Sequence, residues 1–536
     1  MIAPLSRADG AFNLKELFEK SLRKYQHRTA VIFDEIHLSY GVLDQQSNAL
    51  ANALVAKYEG KEEEKRVAIL MENRPEYVIS ELAVTKAGMT KVLLNSMLER
   101  DEIEYILNDS RANILICGPD FVEIISQLAS SLEHLETVVC VNDDVEDQPN
   151  RFVALDEFYR GYTEDVPPDV DVSPDDVVFH AYTGGTTGNP KGVLHTHRSR
   201  AMLYYSALAE LDISEDDRLL FTTPLPHSAG SFFRSSLLIG ATSVVRSGFD
   251  MDQILNDIEQ HRITWTFMVP TMIYRLLDHP EIESRDLSTL ETVVYGAAPM
   301  TPARLTEGLD RLGPIFKQFY GQTEIPNLIT TLGKEEHKTA IRHDEEERLS
   351  SAGQPCLMAD VKIVDPDTGE PQTPGSPGEI LATAPYVMEE YFERPEMTRE
   401  TLAGKWVRTG DIGKQDEQGY VTLLDRMSDV VVTGGMNVYT NEVEDVLADH
   451  PAVRDVVVIG VPDDDWGEAV KALVIPKDGH SVDEASVISY ADERLSRYKK
   501  PKSVDFLESF PKTPYSKVDK KELRDAYWEG AERQIN

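Results

Sequence analysis

Thr183, Gly184, Gly185, Thr186, Thr187, Gly188, Asn189, Pro190, Lys191 and Gly192 form the run of this 536-residue chain with the plainest chemical use. Its glycines permit positive φ and close backbone approach, and its amides and hydroxyls can surround phosphate oxygens. A strand-like segment, VVFHAYT, leads into it. It is not a Walker loop, because Gly192 follows Lys191 where Ser or Thr would hold magnesium. Taken alone, the run also reads as a simple turn between two elements. Five further stretches combine small residues, hydroxyls and charges: YGAAPM (295–300), YGQTE (320–324), RTGD (408–411), DRMSDVVVTGGMNVY (425–439) and PKTPYSKVDKKELR (511–524).

In this order and at this spacing, the six segments resemble the adenylate-forming superfamily of acyl-CoA synthetases, luciferases and adenylation domains. The resemblance runs from a helix near residue 14 to Arg524, and the loop looks most like those of fatty-acyl and general acyl-CoA ligases. It implies a carboxylate attacking the α-phosphorus of ATP, pyrophosphate leaving, and the acyl group then passing to coenzyme A. Two anions must meet, so such a site needs positive charge and a metal. By resemblance, Thr183, Gly184, Gly185, Thr186, Thr187, Gly188 and Lys191 would cradle the β- and γ-phosphates, and Glu324 would bind Mg²⁺. Thr323 would hydrogen-bond the α-phosphate. Tyr320 would stack on adenine in a slot lined by Gly296, Ala297 and Ala298, with Gly321 also in the nucleotide-binding set. Asp411 would accept from the ribose hydroxyls, with Arg426 a nearby donor. Lys517 would be the catalytic lysine that bridges carboxylate and α-phosphate oxygens. For thioester formation the small domain would rotate and present Gly434, Gly435 and Asn437 to the pantetheine arm. His227, in PLPHSAG, matches a gate near the acyl channel.

Each of these residues has a plainer reading in isolation: a solvated acid for Glu324, core for Tyr320, a turn residue for Asp411, a β-turn for the Gly434–Gly435 pair. Only the joint pattern assigns them chemistry. His195 and His197 read as structural, since no zinc-type ligand spacing accompanies them. The chain departs from the family pattern at Gly184, at Ser428 in the hinge position, and at Ser516 before the lysine; none of these removes an essential charge.

The elements that must position these residues are legible as patterns. Leu14, Leu17, Phe18 and Leu22 mark one amphipathic helix, and Leu43, Leu50 and Leu54 another. From residue 66, β-rich runs alternate with helical ones, as in βαβ units with a largely parallel sheet. The segment PARLTEGLDRLG predicts a helix capped by Thr301 with Pro302 in its first turn. Short strands and Pro/Gly turns at about 340–425 predict a β-rich subdomain. The expected fold is therefore α/β: a large N-terminal domain, 1–426, with βαβ-type sheets and that subdomain, then a smaller mobile α+β domain, 427–536.

Composition narrows the class. Lys and Arg number 54 against 93 Asp and Glu, a net charge of -39, which argues against nucleic acid as partner. No apolar run approaches the ~18 residues of a membrane span, and the start lacks a secretory signal, so a cytoplasmic enzyme without integral membrane contact is expected. Cys117, Cys140 and Cys356 form neither a disulfide framework nor a metal cluster. Such acidity suits a salt-rich cytoplasm, as in halophilic archaea, because salt screens the self-repulsion. The expected small-molecule partners are a carboxylic acid, ATP and CoA, with monomer and homodimer both open. A medium- or long-chain fatty acid is favoured; an aryl or cinnamate-type acid, or a non-catalytic acyl-nucleotide sensor, are the alternatives.

Overall fold

The computed structural model describes residues 12–58, 65–141, 145, 148–183, 190–477, 479–480, 482–512 and 518–528. Gly184, Gly185, Thr186, Thr187, Gly188 and Lys517 lie outside the described residues. The chain divides into two compact units, one of residues 1–183, 190–360 and 382–407, the other chiefly of residues 361–381 and 408–536.

The first unit begins with the helix Leu14–Lys24, whose Asn13 side chain accepts from the Lys15 and Glu16 amides and so satisfies two otherwise orphaned donors. Leu14, Phe18 and Leu22 are buried along one face, as their spacing predicts, while Leu17 stands at its margin. The helix Tyr40–Lys57 likewise buries Leu43, Leu50 and Leu54. Two sheets follow the βαβ expectation. One has nine strands in the order 354–355, 330–332, 316–320, 292–296, 265–268, 218–221, 242–245, 29–33 and 36–39. Its six inner strands, from 316–320 to 29–33, run parallel, and the outer ones are antiparallel. The other has eight strands, in the order 390–391, 192–196, 177–182, 90–94, 66–70, 114–117, 137–140 and 152–154. Parallel sheets covered on both faces read as unbroken apolar runs, and strands 66–70, 90–94 and 114–117 are buried at every residue.

Two expectations need correction. Thr301 does occupy the cap position of the helix Pro302–Leu312, with Pro302 in its first turn, but its side chain makes no capping bond. Its amide instead donates to the Tyr274 hydroxyl at 3.0 Å, so tertiary contact fixes that helix start. The β-rich stretch also begins later than residue 340, because the helices Lys334–His343 and Glu346–Leu349 fill its first part.

The second unit holds the strands Asp360–Val364, Gly378–Thr383, Trp406–Gln415 and Val421–Arg426 in one sheet. A second sheet orders 436–438, 431–433, 467–476 and 453–463, with 503–506 beside 467–476. The helices Thr440–Ala448 and Glu484–Asp492 pack Val443, Leu447, Val487 and Ala491 against its valines. The result is the mixed α/β chain, larger unit first, that the sequence leads one to expect.

Candidate active site

Strands 292–296 and 316–320 lie side by side and parallel, with Gly296 opposite Phe319. The GAA and YGQTE segments therefore emerge together at the carboxyl ends of neighbouring parallel strands, where open α/β sheets form their ligand crevices. Both turns are tightly built. A Cβ on Gly296 would lie 2.5 Å from the Phe319 carbonyl oxygen, and one on Gly321 would lie 2.4 Å from the Asn327 amide. Ala297 takes φ 65° and Asn327 φ 60°, a conformation that costs a non-glycine residue energy and that recurs at functional sites. Ala297 and Ala298 are exposed at this edge, whereas Tyr320 is only 8% exposed, its backbone carbonyl accepting from Ile329.

The phosphate-loop flanks reach the same region from the eight-stranded sheet. Thr183 and Lys191 bond to each other, Thr183 N to the Lys191 carbonyl at 3.1 Å and Lys191 N to Thr183 Oγ1 at 3.2 Å. Just beyond, Gly192 pairs with Tyr182, and a Cβ there would sit 2.1 Å from His180 Nε2. Strand 192–196 pairs on its other side with 390–391, setting Tyr391 opposite Val193. Tyr391 then donates its hydroxyl to Glu324 Oε1 at 2.5 Å, and the Lys191 ammonium stands 5.5 Å from its ring centroid. Burial raises the Tyr391 hydroxyl pKa and the Glu324 carboxylate raises it further, so this hydroxyl stays a proton donor. The Glu324 carbonyl accepts from Met388 at 2.7 Å.

His195 is fully buried and bonds through Nε2 to the Thr323 carbonyl at 2.9 Å. Burial, reinforced by Arg200, pushes its pKa well below the ordinary histidine value. It is thus a neutral clamp on the backbone between Gln322 and Glu324. His197 accepts the Leu14 amide at 3.2 Å through Nδ1, also as a neutral ring. His227 stands at the N-cap of the helix Ser228–Ile239, and the Asn327 side chain donates to the adjoining Ser228 carbonyl at 3.4 Å. Thr183, Lys191, Gly296, Ala297, Ala298, Tyr320, Gly321, Thr323, Glu324 and His227 all belong to the first unit, on strand ends and loops of its two sheets, and the Lys191–Tyr391–Glu324 contacts join the two sets.

Asp411, Arg426, Gly434, Gly435 and Asn437 belong to the second unit. Asp411 and Arg426 are cross-strand partners, and Arg426 Nε lies 2.8 Å from Asp411 Oδ1. The carboxylate is buried, and its backbone amide donates to Thr409 Oγ1, whose hydroxyl donates to the Ile380 carbonyl. Gly434 and Gly435 form a two-residue hairpin turn with φ 57° and 78°, the type I′ geometry that glycine tolerates best. Asn437 is exposed on the second strand of that hairpin.

Sequence reasoning missed three parts of this arrangement. Tyr391 carried no signal in its own neighbourhood. His195 was legible as structural, but not as the clamp on Thr323. Lys520 is half-buried and bonds Glu444 at 2.8 Å and Thr440 at 2.9 Å, while Arg524 holds Asp429 and the Ser428 carbonyl. These contacts lay hidden in a helix of charged residues.

The sequence matches the AMP-binding enzyme family over residues 18–392 and the AMP-binding enzyme C-terminal domain over residues 442–517. The chain belongs to the AMP-binding enzyme family. This AMP-binding enzyme is 36% identical to a medium/long-chain-fatty-acid–CoA ligase, FadD8, of Mycobacterium tuberculosis, across 96% of its own length and 90% of the relative's. It is 37% identical to a feruloyl-CoA synthase of an Amycolatopsis species, across 94% and 96%. Its fold is similar to that of the amide bond synthetase McbA from Marinactinospora thermotolerans, with TM-score 0.86, 29% identity, and 96% and 99% of the two chains covered.

Proposed function

We propose that the chain is an ATP-dependent, AMP-forming acid–thiol ligase that activates a carboxylic acid as its acyl-adenylate and passes the acyl group to coenzyme A. The observation that carries this reading is the convergence of Lys191, Tyr391 and Glu324 beside the paired GAA and YGQTE turns. The lysine supplies positive charge next to a run suited to phosphate oxygens, and the Glu324 carboxylate is hydrogen-bonded to the tyrosine whose ring the lysine faces. Glu324 suits magnesium, an ion that takes one or two protein carboxylates and fills its shell with water and phosphate oxygens. When bound there, the ion would neutralise charge on the leaving pyrophosphate. The chain's own residues do the rest: Thr323 positions the α-phosphate, Tyr320, Gly296, Ala297, Ala298 and Gly321 hold the base, and Asp411 with Arg426 holds the ribose. Lys517 neutralises the charge that concentrates between carboxylate and α-phosphate.

Tyr391 orients the metal-binding carboxylate, so Tyr391→Phe is expected to weaken Mn²⁺–nucleotide binding by about 10-fold or more. Electron paramagnetic resonance of bound Mn²⁺ measures this directly, and an unchanged affinity would remove Tyr391 from the site.

We place the pivot between the two half-reactions near residue 427, with the Gly434–Gly435 turn lying along the pantetheine path. Nothing lies within 4 Å of a Cβ built on Gly435, so a side chain fits there apart from the strain of positive φ, ~1–2 kcal/mol. Gly435→Leu is expected to block thioester formation while pyrophosphate exchange persists. Equal loss of both would assign the glycine to the turn alone.

The relatives named above act on fatty and on aryl acids. We favour an uncharged medium- or long-chain acid for this chain, with an aryl acid as the second reading. Phe232 and Phe233 do not decide between them. Phe232 packs edge-on against Trp265, Phe267 and Phe319, and Phe233 against Phe221, so both serve the core. Gly230 is small because a Cβ would meet the Leu225 carbonyl at 1.9 Å. We further infer a cytoplasmic setting rich in salt from the net charge of -39; no described helix is long and apolar enough to cross a membrane. Acids of graded chain length, with benzoate and cinnamate types, assayed for acid-dependent pyrophosphate release across a KCl series test substrate, setting and sensor alternative together. Binding of acyl-nucleotide without pyrophosphate release would favour the sensor.

A further inference from the structure

Behind the clamp on Thr323, four elements of the first unit meet around Phe179: the helices Pro75–Lys86, His197–Glu210 and Ser228–Ile239, and the strand Thr90–Leu94. Lys91, Arg200 and Arg234 place their cationic groups 4.3, 4.4 and 4.9 Å from the centroid of that one ring. They are only 1%, 6% and 3% exposed. The single carboxylate among them is Glu81, which is 4% exposed. Glu81 takes both Nε and Nη2 of Arg234 and the Lys91 ammonium at 2.8 Å. Three cations thus face one anion where water does not reach.

The other titratable groups facing the cluster add no negative charge. Burial pushes the Tyr204 hydroxyl up to about 12 and raises Tyr77 as well, so both remain neutral phenols. His195 and His197 are uncharged, for burial and for the neighbouring Arg200 and Lys91. Lys91 is lowered by burial only to about 8 and Arg200 to about 10, so both are cationic at neutral pH. Contact with the π face of Phe179 eases that charge but does not neutralise it.

Unused donors surround the surplus. Arg200 Nε and Ser80 Oγ are buried without a hydrogen-bond partner, and the Tyr77 and Tyr204 hydroxyls, within reach of Arg234 as acceptors, have no acceptor for their own protons. Both tyrosine hydroxyls lie close enough to Arg234 to feel its charge, and Tyr204 also feels Arg200. Leaving buried donors of this kind unmade is costly, because each has given up its bonds to water. Water could accept from them but would leave the charge uncompensated.

We propose that Arg200, Arg234, Tyr77 and Tyr204 enclose a binding site for a small monovalent anion, chloride in the cell. A spherical halide accepts from several donors at once and offsets one of the two uncompensated positive charges. The site stands at the back of helix His197–Glu210, just after His195, so its occupation would brace the wall that carries Thr323. It also separates two kinds of salt requirement, since screening of surface acids responds to any salt and this site only to halide.

Bromide-soaked crystals of the full chain, with anomalous scattering measured at the bromine edge, test the proposal. A peak between Arg200, Tyr77 and Tyr204 is expected, and its absence at saturating bromide would overturn the site. In solution, melting temperature is followed as chloride replaces gluconate at fixed ionic strength. A saturable rise is expected for the wild type, and Arg200→Met should abolish it while the response to total salt stays. The same chloride response in both proteins would overturn the proposal. The crystallographic arm decides should the variant not fold.

Discussion

Lys517→Ala is expected to slow acyl-adenylate formation by about 10²–10³-fold or more, the loss that follows removal of one preorganised charge from a developing anion. Thioester formation from synthetic acyl-adenylate should be largely spared, because there the thiol attacks the acyl carbonyl as AMP leaves, and the carboxylate-to-phosphorus bond that Lys517 would help to form is already in place. The effect is argued from the chemistry of the half-reaction and from the flanks of the segment. Lys512 pairs with Val518, and the Asp519 amide donates to the Pro511 carbonyl at 3.0 Å, so the two ends of the lysine's segment are tied together. Lys520 then ties the following helix to Glu444 and Thr440. Rapid-quench measurement of each half-reaction separates the outcomes. Equal damage to both would mean that the lysine supports the fold rather than adenylation.

Glu81→Gln carries the largest expected cost in stability, about 3–5 kcal/mol, as for breaking a buried ion pair from one side. The substitution leaves Lys91, Arg200 and Arg234 around Phe179 with no carboxylate at all. Burial alone would raise the Glu81 pKa, but Arg234 and Lys91 outweigh it and hold the carboxyl below its ordinary value. Its stabilisation is therefore complete above the unfolded carboxyl pKa of ~4.3 and is lost as pH falls through the lower folded value. Urea unfolding of wild type and variant should differ most near neutral pH and converge in acid. A variant as stable as the wild type at pH 7 would show that the cluster does not depend on this carboxylate.

Much of the fold was legible because its elements announce themselves locally. The spacing of Leu14, Phe18 and Leu22 and the apolar runs at 67–70, 92–94 and 114–117 need no distant partner to be read. Where a tertiary contact overrode the local rule, the reading failed. Thr301 sits at a helix start yet leaves capping undone, because Tyr274 takes its amide. The site was legible in proportion to how much of it lies in continuous segments. Glu324 and Asp411 stand in short runs whose combination carries meaning, although either residue alone is an ordinary acid. Tyr391 could not be found that way. It reaches Glu324 only because strand 390–391 pairs with 192–196, a register fixed across almost two hundred residues of chain. The cations around Phe179 are equally silent in sequence, since three separate elements contribute them and a fourth supplies Glu81.

The same register gives the account its most direct test, since it sets a lysine and a carboxylate where ATP would be split between its α- and β-phosphates. Purified chain is incubated with ATP, Mg²⁺, CoA and the graded acids at several KCl concentrations, and nucleotides and thioesters are separated by chromatography. The account predicts AMP and acyl-CoA in equal amounts, both dependent on the acid. Nucleotide left intact with every acid, or ADP in place of AMP, would contradict it.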